Sequence, residues 1–235
     1  MLEADIKAHL VNHLYKKCRL TDDSLIVSEL TIGGFSRRVD LVVATPKELI
    51  AYEIKSASDN LSRLSGQVND YLKYFDKVIV VADSTHIDAT LQLAPENVGV
   101  WELSKEKFIA KRRGIKANVK DKKALASFLT ATEISKLTPA VYKSYDRSKQ
   151  KELMLRANST KKLRGEVYDF LYRKFSATSH KLLNKLDTKA NITPIDIEQL
   201  SVYIPERRAK EQKKALKSQL WQAWEAELSL PLQAR

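Results

Sequence analysis

The sequence predicts an α/β fold: a mixed β-sheet flanked by helices, followed by a basic all-α C-terminal region. Three observations predict it. Short runs rich in β-branched and aromatic residues recur through the first hundred residues. Segments of helical periodicity separate these runs. Beyond residue 123 the strand signal stops and only helical patterns continue.

Leu2 to Lys17 is expected to form an amphipathic helix, because Leu2, Ile6, Leu10 and Leu14 recur every fourth residue. Glu3 stands beside that stripe in the first turn, where an acid complements the helix dipole. His9 and His13 are spaced i, i+4, but the glutamate of a zinc-protease helix is missing. Cys18 is the single cysteine, so neither an intrachain disulfide nor a cysteine zinc cage is available. At the end of an apolar helix it is expected to be buried or half-buried.

Ser24 to Ile32 predicts a strand, and Gly33-Gly34 a turn into a second strand at Val39 to Ala44. Thr45-Pro46-Lys47-Glu48 is a tight turn into Leu49 to Ile54. Ala57 to Tyr74 has helical spacing, with Leu61, Leu64, Val68, Tyr71 and Leu72 on one side. Lys77 to Ala82 is a continuous apolar run, the mark of a strand covered on both faces. Asp83 to Leu93 is expected to be helical, and Asn97 to Leu103 closes the sheet.

The chemistry concentrates between Arg37 and Tyr71. Side chains alternate along a strand, so Glu53 and Lys55 share a face while Ile54 points to the core. A hairpin through the Thr45–Glu48 turn places Asp40 near Glu53 and Lys55. Two carboxylates with open positions suit Mg2+ or Mn2+, which retain waters and bind phosphate. Such an ion lowers the pKa of a bound water and neutralises charge on an attacked phosphate. Lys55 is placed to orient that water or to stabilise the transition state. Gln67 and Tyr71, at i and i+4, share one helical face and can reach the same site. Arg37 and Arg38 have the planar guanidinium that suits phosphate, and Arg63, Lys111, Arg112 and Arg113 are further candidate nucleic-acid contacts.

The order of Asp40, Glu53-x-Lys55 and then a helix with Gln67-x-x-x-Tyr71 resembles the PD-(D/E)xK phosphodiesterase superfamily, with its restriction-endonuclease-like fold. The Gln-x-x-x-Tyr element is similar to the RecB-like branch, and the match spans roughly residues 2 to 103. Glu29 before Gly33-Gly34, Arg38-Val39-Asp40 and Asp59-x-Leu61-x-Arg63 resemble small bacterial and phage proteins of that superfamily. Val39 stands where the superfamily often has proline. The resemblance implies Asp40 and Glu53 as metal ligands, Lys55 as catalytic lysine, and Gln67 and Tyr71 as assisting residues. It also matches Glu3 to an acid on the first helix that often joins such sites. It implies a Mg2+- or Mn2+-dependent deoxyribonuclease, an endonuclease or nickase in a phage, mobile-element or defence setting. A reading of another class is a non-catalytic nucleic-acid-binding subunit of a repair or defence complex on the same fold. Asp40, Glu53 and Lys55 together favour the enzyme, since a pure binder has no need of all three. A nucleobase deaminase is disfavoured, because no His-x-Glu precedes a Pro-Cys-x-x-Cys.

Charge supports a polyanionic partner, double-stranded DNA above all. Residues 1–110 carry 13 basic and 16 acidic side chains, whereas residues 111–235 carry 28 and 13. Such an excess grips a phosphate backbone through salt-sensitive contacts. Three parts are expected: a nuclease core at 1–104, a basic linker at 105–123 and a basic helical domain at 124–235. Helices are expected at 124–137, 149–157, 163–175, 180–186, 195–203 and 206–228, with Ser176 to His180 as a loop. In the last of these, Leu216, Leu220, Trp224 and Leu228 form a stripe beside Trp221 that is expected to pack back on the bundle, with a second copy, a partner protein or a stacked base as the alternatives. The acidic N-terminal stretch is unlike a signal peptide, and no run approaches the ~20 apolar residues of a membrane span. A cytoplasmic protein is expected.

Overall fold

The computed structural model describes residues 1–33, 37–200 and Trp221. Contacts divide the chain into two compact units, 1–200 and 201–235. The first unit opens with α1 (Glu3–Lys16), followed by β1 (Leu25–Ile32), β2 (Arg37–Thr45) and β3 (Glu48–Lys55). Then come α2 (Leu64–Tyr71), β4 (Lys77–Asp83), α3 (Ile87–Leu93), β5 (Gly99–Ser104) and β6 (Lys107–Arg112). The remaining helices are α4 (Lys122–Ala126), α5 (Ala131–Leu137), α6 (Arg147–Ala157), α7 (Thr160–Asp187) and α8 (Pro194–Gln199).

The sheet runs β1-β2-β3-β4-β5-β6 in chain order. Its two hairpin ends are antiparallel, and β3, β4 and β5 are parallel. Parallel neighbours need crossovers, and α2 and α3 supply them. Alternate residues of the strands, among them Ile26, Leu41, Tyr52, Ile54, Ile79 and Trp101, join Ile6, Leu10 and Leu14 of α1 in one apolar cluster. Leu182, Leu183 and Leu186 of α7 and Ile197 of α8 belong to the same cluster. The mixed sheet with flanking and C-terminal helices is therefore as expected. The boundaries expected at 104 and 123 do not separate compact units, because residues 1–200 form one unit in which α7 and α8 help to cover the sheet.

Several boundaries differ for local reasons. The expected linker contains β6, joined to β5 by Lys105 and Glu106, both at positive φ (47° and 64°). That hairpin conformation usually calls on Asn or Gly, so the sequence did not announce it. Ala57 to Arg63 is not helical. There Asp59 accepts from the Ser56 N–H and hydroxyl, and Asn60 from the Ser62 N–H, which offers the backbone an alternative to the helix. The segment 124–137 breaks in two because Thr130 caps α5 through the Glu133 N–H. Cys18 is exposed, in a left-handed turn (φ 51°) just past α1. Leu2, the first residue of the expected α1 stripe, is also exposed. The expected helix at 206–228 lies outside the described residues apart from Trp221, which is exposed. Among the described residues no helix is long and apolar enough to cross a membrane.

The segment Ser176 to His180 is the interior of α7, not a loop. Leu163, Val167, Leu171 and Phe175 set a buried stripe, and Ser179 occupies its next place. Its hydroxyl accepts from the Ile26 N–H at 2.9 Å and donates to the Ile26 carbonyl at 3.1 Å. These are the outward-facing peptide groups of β1, the edge strand. Thr178 returns its own hydroxyl to the Phe175 carbonyl. Ser179→Ala leaves two buried peptide groups without partners, at a cost of about 1–3 kcal/mol for each unsatisfied group. Urea melting should show that loss, and an unchanged midpoint would remove Ser179 as the seal of the edge.

Asp76, just before β4, fastens the helical half to the sheet. Its buried carboxylate accepts from the N–H groups of Leu49 and Val119 at 2.9 and 2.8 Å. Both terminal nitrogens of Arg164 on α7 meet it at 2.7 Å.

Candidate active site

The site forms where the ladders on both sides of β2 let go. The β2–β3 ladder runs from Thr45 opposite Glu48 to Leu41 opposite Tyr52 and stops. The next pair in register is Asp40 and Glu53. Instead of continuing the ladder, Asp40 Oδ2 accepts from the Ile54 N–H at 2.7 Å. On the other side, the β1–β2 ladder passes from Ser28–Leu41 to Leu30–Val39 and omits Glu29 and Asp40. Glu29 takes φ 62° there, a conformation an L-residue adopts at a cost. The gap collects polar side chains that the surrounding sheet would otherwise exclude.

Glu53 is 1% exposed. Its Oε1 accepts from Lys55 Nζ at 2.7 Å and its Oε2 from the Tyr71 hydroxyl at 2.8 Å. Lys55 Nζ also donates to Gln67 Oε1 at 3.2 Å. The Tyr71 hydroxyl lies 2.8 Å from the Arg38 carbonyl as well. Burial, and then the charges of Glu53 and Asp40, push the phenol far above its ordinary pKa. Tyr71 is therefore a fixed donor and not a base.

A second cluster adjoins the first. Lys7 of α1 is 4% exposed. Its ammonium meets Glu3 at 2.6 Å, Ser28 Oγ at 3.3 Å, and Glu29. Burial pulls its pKa down, but Asp40, Glu3 and Glu29 outweigh burial and hold it above the usual lysine value. Glu29 also pairs with Arg38 at 2.5 Å. Burial, then Glu53 and Glu3, drive the Asp40 carboxyl well above the usual carboxylate range, against the pull of Lys7 and the Ile54 N–H.

One carboxylate oxygen each from Glu3, Glu29 and Asp40 lies within 4.8 Å of the other two. Three hard oxygen donors fit a Mg2+- or Mn2+-sized ion. Glu53, expected as a ligand with Glu3 and Asp40, is not in this group; its two oxygens accept from Lys55 and Tyr71. Glu29 takes that place. In the sequence Glu29 stood in the pattern before Gly33-Gly34 but not among the expected ligands, and Lys7 was not marked at all. The one signal for Lys7 was its i, i+4 spacing from Glu3.

Asp40, Glu53, Lys55, Gln67 and Tyr71 are thus brought together, with Glu3 beside them. The expected nucleic-acid contacts divide. Arg37 is held by Asp70 at 2.7 Å, Arg38 by Glu29, and Lys111 by Glu102 at 2.8 Å. Arg112 is structural: its guanidinium donates to the carbonyls of Val98, Ala94 and Leu91 and ties the β6 end to α3. Arg63 and Arg113 are exposed.

Metal binding is checked by stability against pH. A carboxyl with a raised folded pKa holds its proton longer in the folded state. Stability should therefore fall as pH climbs from the ordinary carboxylate pKa through the Asp40 value, and stay lower above it. Added Mg2+ or Mn2+ should raise the melting temperature above that window, and do so less in Asp40→Asn and Glu29→Gln. Equal rises in all three proteins would place the ion elsewhere.

A family model described as bacteriophage P4 protein cII matches residues 1–201. Protein cII of Enterobacteria phage P4 is 29% identical over 206 residues, covering 85% of this chain and 77% of that protein. A solved protein of unknown function from Silicibacter pomeroyi is 15% identical, covers 77% of this chain and 87% of its own, and has a TM-score of 0.42.

Proposed function

The chain belongs to the family of bacteriophage P4 protein cII, and from that premise and the cluster at the β2–β3 gap we propose that it is a metal-dependent deoxyribonuclease of restriction-endonuclease-like fold. The observation that carries the reading is Lys55, a nearly buried ammonium fixed by Glu53 and Gln67, with Asp40 next in register opposite Glu53. A structural ion pair needs neither the second acid nor the amide. The hairpin followed by a helix and a parallel strand supports the fold assignment. The phage setting agrees with the family's description.

Each residue has a distinct task. Glu53, held by Tyr71, fixes the Lys55 ammonium at the mouth of the gap. Lys55 orients an attacking water and meets the charge that develops on the phosphate. The Ile54 N–H fixes the direction of Asp40. Glu3, Glu29 and Asp40 would hold the divalent ion, whose chemistry when bound is to polarise the phosphate and acidify water. Mildly acidic residues 1–110 supply the centre, and the basic remainder attracts the polyanion.

One observation favours a second reading, a nucleic-acid-binding subunit without turnover. The Lys7 ammonium already neutralises the acids that would hold the ion. Supercoiled plasmid incubated with the protein and Mg2+ or Mn2+ separates the two. Nicking that EDTA stops supports the nuclease. Retardation of the plasmid without nicking supports the binder.

A further inference from the structure

We propose that a pocket between α5 and α6, on the helical side of the chain, holds a backbone phosphate of the nucleic-acid strand. The inference deepens the proposed reading by naming where the polyanion is gripped, and it rests on that reading for the identity of the ligand. The pocket has a volume of about 420 Å³ and is lined by Thr132, Ser135, Lys136, Lys143, Arg147 and Gln150. Three cations and two hydroxyls converge on it, and no acid lines it.

The nearby acids already have partners. Glu133 pairs with Arg173 at 3.1 Å and with Lys136 at 3.4 Å. Asp146 caps α6 through the N–H groups of Ser148 and Lys149. Among the described residues Lys143 and Arg147 have no carboxylate partner. The Arg147 guanidinium and the Lys143 ammonium, left without acids beside Lys136, whose acid is shared with Arg173, form a site for an anion, and phosphate matches the guanidinium fork.

The pocket is also built, not a chance gathering of surface lysines. Gln150 donates to the carbonyls of Lys143 and Tyr145 at 2.9 and 2.7 Å. Those bonds fix the turn that carries Lys143 against the first turn of α6, which carries Arg147. Asn158 ties the α6 end to the Leu137 carbonyl at 3.1 Å, so α5 and α6 keep their spacing. Tyr145 stands in the chain between Lys143 and Arg147 and is 51% exposed. The Tyr142 ring lies 6.2 Å from it. An exposed aromatic beside a phosphate site is the pairing that single strands use, with charge for the backbone and a ring for the base.

The test is fluorescence anisotropy in EDTA, where no divalent ion acts, with the full-length protein and one labelled oligonucleotide, single-stranded and then duplex. The pocket variant is Lys136→Ala/Lys143→Ala/Arg147→Ala. The control variant, Lys161→Ala/Lys162→Ala/Lys189→Ala, removes the same charge from exposed positions of α7 and the turn after it. The pocket variant should bind about tenfold or more weakly and its log–log salt slope should be shallower by about 0.7–0.9 for each phosphate lost. The control should change affinity far less. Tyr145→Ala should weaken single-stranded binding more than duplex binding. Equal effects of the two triple variants would overturn the pocket, as would a wild-type protein that binds neither oligonucleotide. Plasmid nicking is read separately: binding through the pocket without nicking keeps this site and sinks the nuclease.

Discussion

Lys55→Ala should reduce plasmid nicking by about 10²- to 10⁴-fold, the usual loss when a positioned proton-transfer or charge-stabilising group is removed. The fold should survive at a cost in stability: Lys55 lies at the C-terminal end of β3, but its removal leaves the buried Glu53 carboxylate without its cation. Glu53 would lose one donor and keep Tyr71. Asp40→Asn is the better partner variant than Asp40→Ala. The amide oxygen can still accept from the Ile54 N–H, so lost nicking cannot be ascribed to a freed peptide group. A cooperative melting transition above the assay temperature, with nicking abolished, would sustain the assignment. Wild-type turnover in either variant would end it.

Asp76→Ala should be strongly destabilising, at about 3–5 kcal/mol, the cost of removing one partner of a buried ion pair. For a domain of this size that corresponds to a fall in melting temperature of roughly 6–20 °C. Three separate stretches lose a common acceptor: β3 at Leu49, the segment after β6 at Val119, and α7 at Arg164. Arg164 is then left partly buried beside the hole. The same bonds dictate a pH signature. Burial alone would raise the Asp76 pKa, but Arg164 and the two peptide N–H groups hold it below the ordinary carboxylate value. A depressed folded pKa contributes stability that is present above the unfolded value and lost as pH falls through the folded one. Wild type should therefore lose this part of its stability in acid below the usual carboxylate range, and Asp76→Asn should show a flatter acid limb. Superimposable acid limbs would mean that the carboxylate does not carry the connection.

Much of the site's arrangement was legible because two short-range rules generate it. Strand alternation puts Glu53 and Lys55 on one face, and the four-residue turn sets the register that brings Asp40 opposite Glu53. Helical spacing does the same for Gln67 and Tyr71. Lys7 and Glu29 were not legible, because their roles depend on a contact 22 residues apart and on a backbone angle that no glutamate advertises. Arg112 looked like a phosphate contact because sequence shows its charge but not the carbonyls it serves. The helix break expected at Ser176 to His180 failed for a related reason. Ser179 is polar in composition yet fills a buried place in the stripe, since its hydroxyl has two peptide groups to satisfy.

That serine sets an order of events. Ile26 and Ser179 are separated by 153 residues, so on a ribosome the first strand is made long before its cover. At about 5–20 residues per second, roughly 8–30 s pass between them. Throughout that interval Leu25 to Ile32, an apolar strand with one open ladder edge, is free to pair with a neighbouring nascent chain. The most exposed moment in the life of this protein is thus during its synthesis, and a chaperone that shields the first thirty residues should improve its yield more than one acting after release.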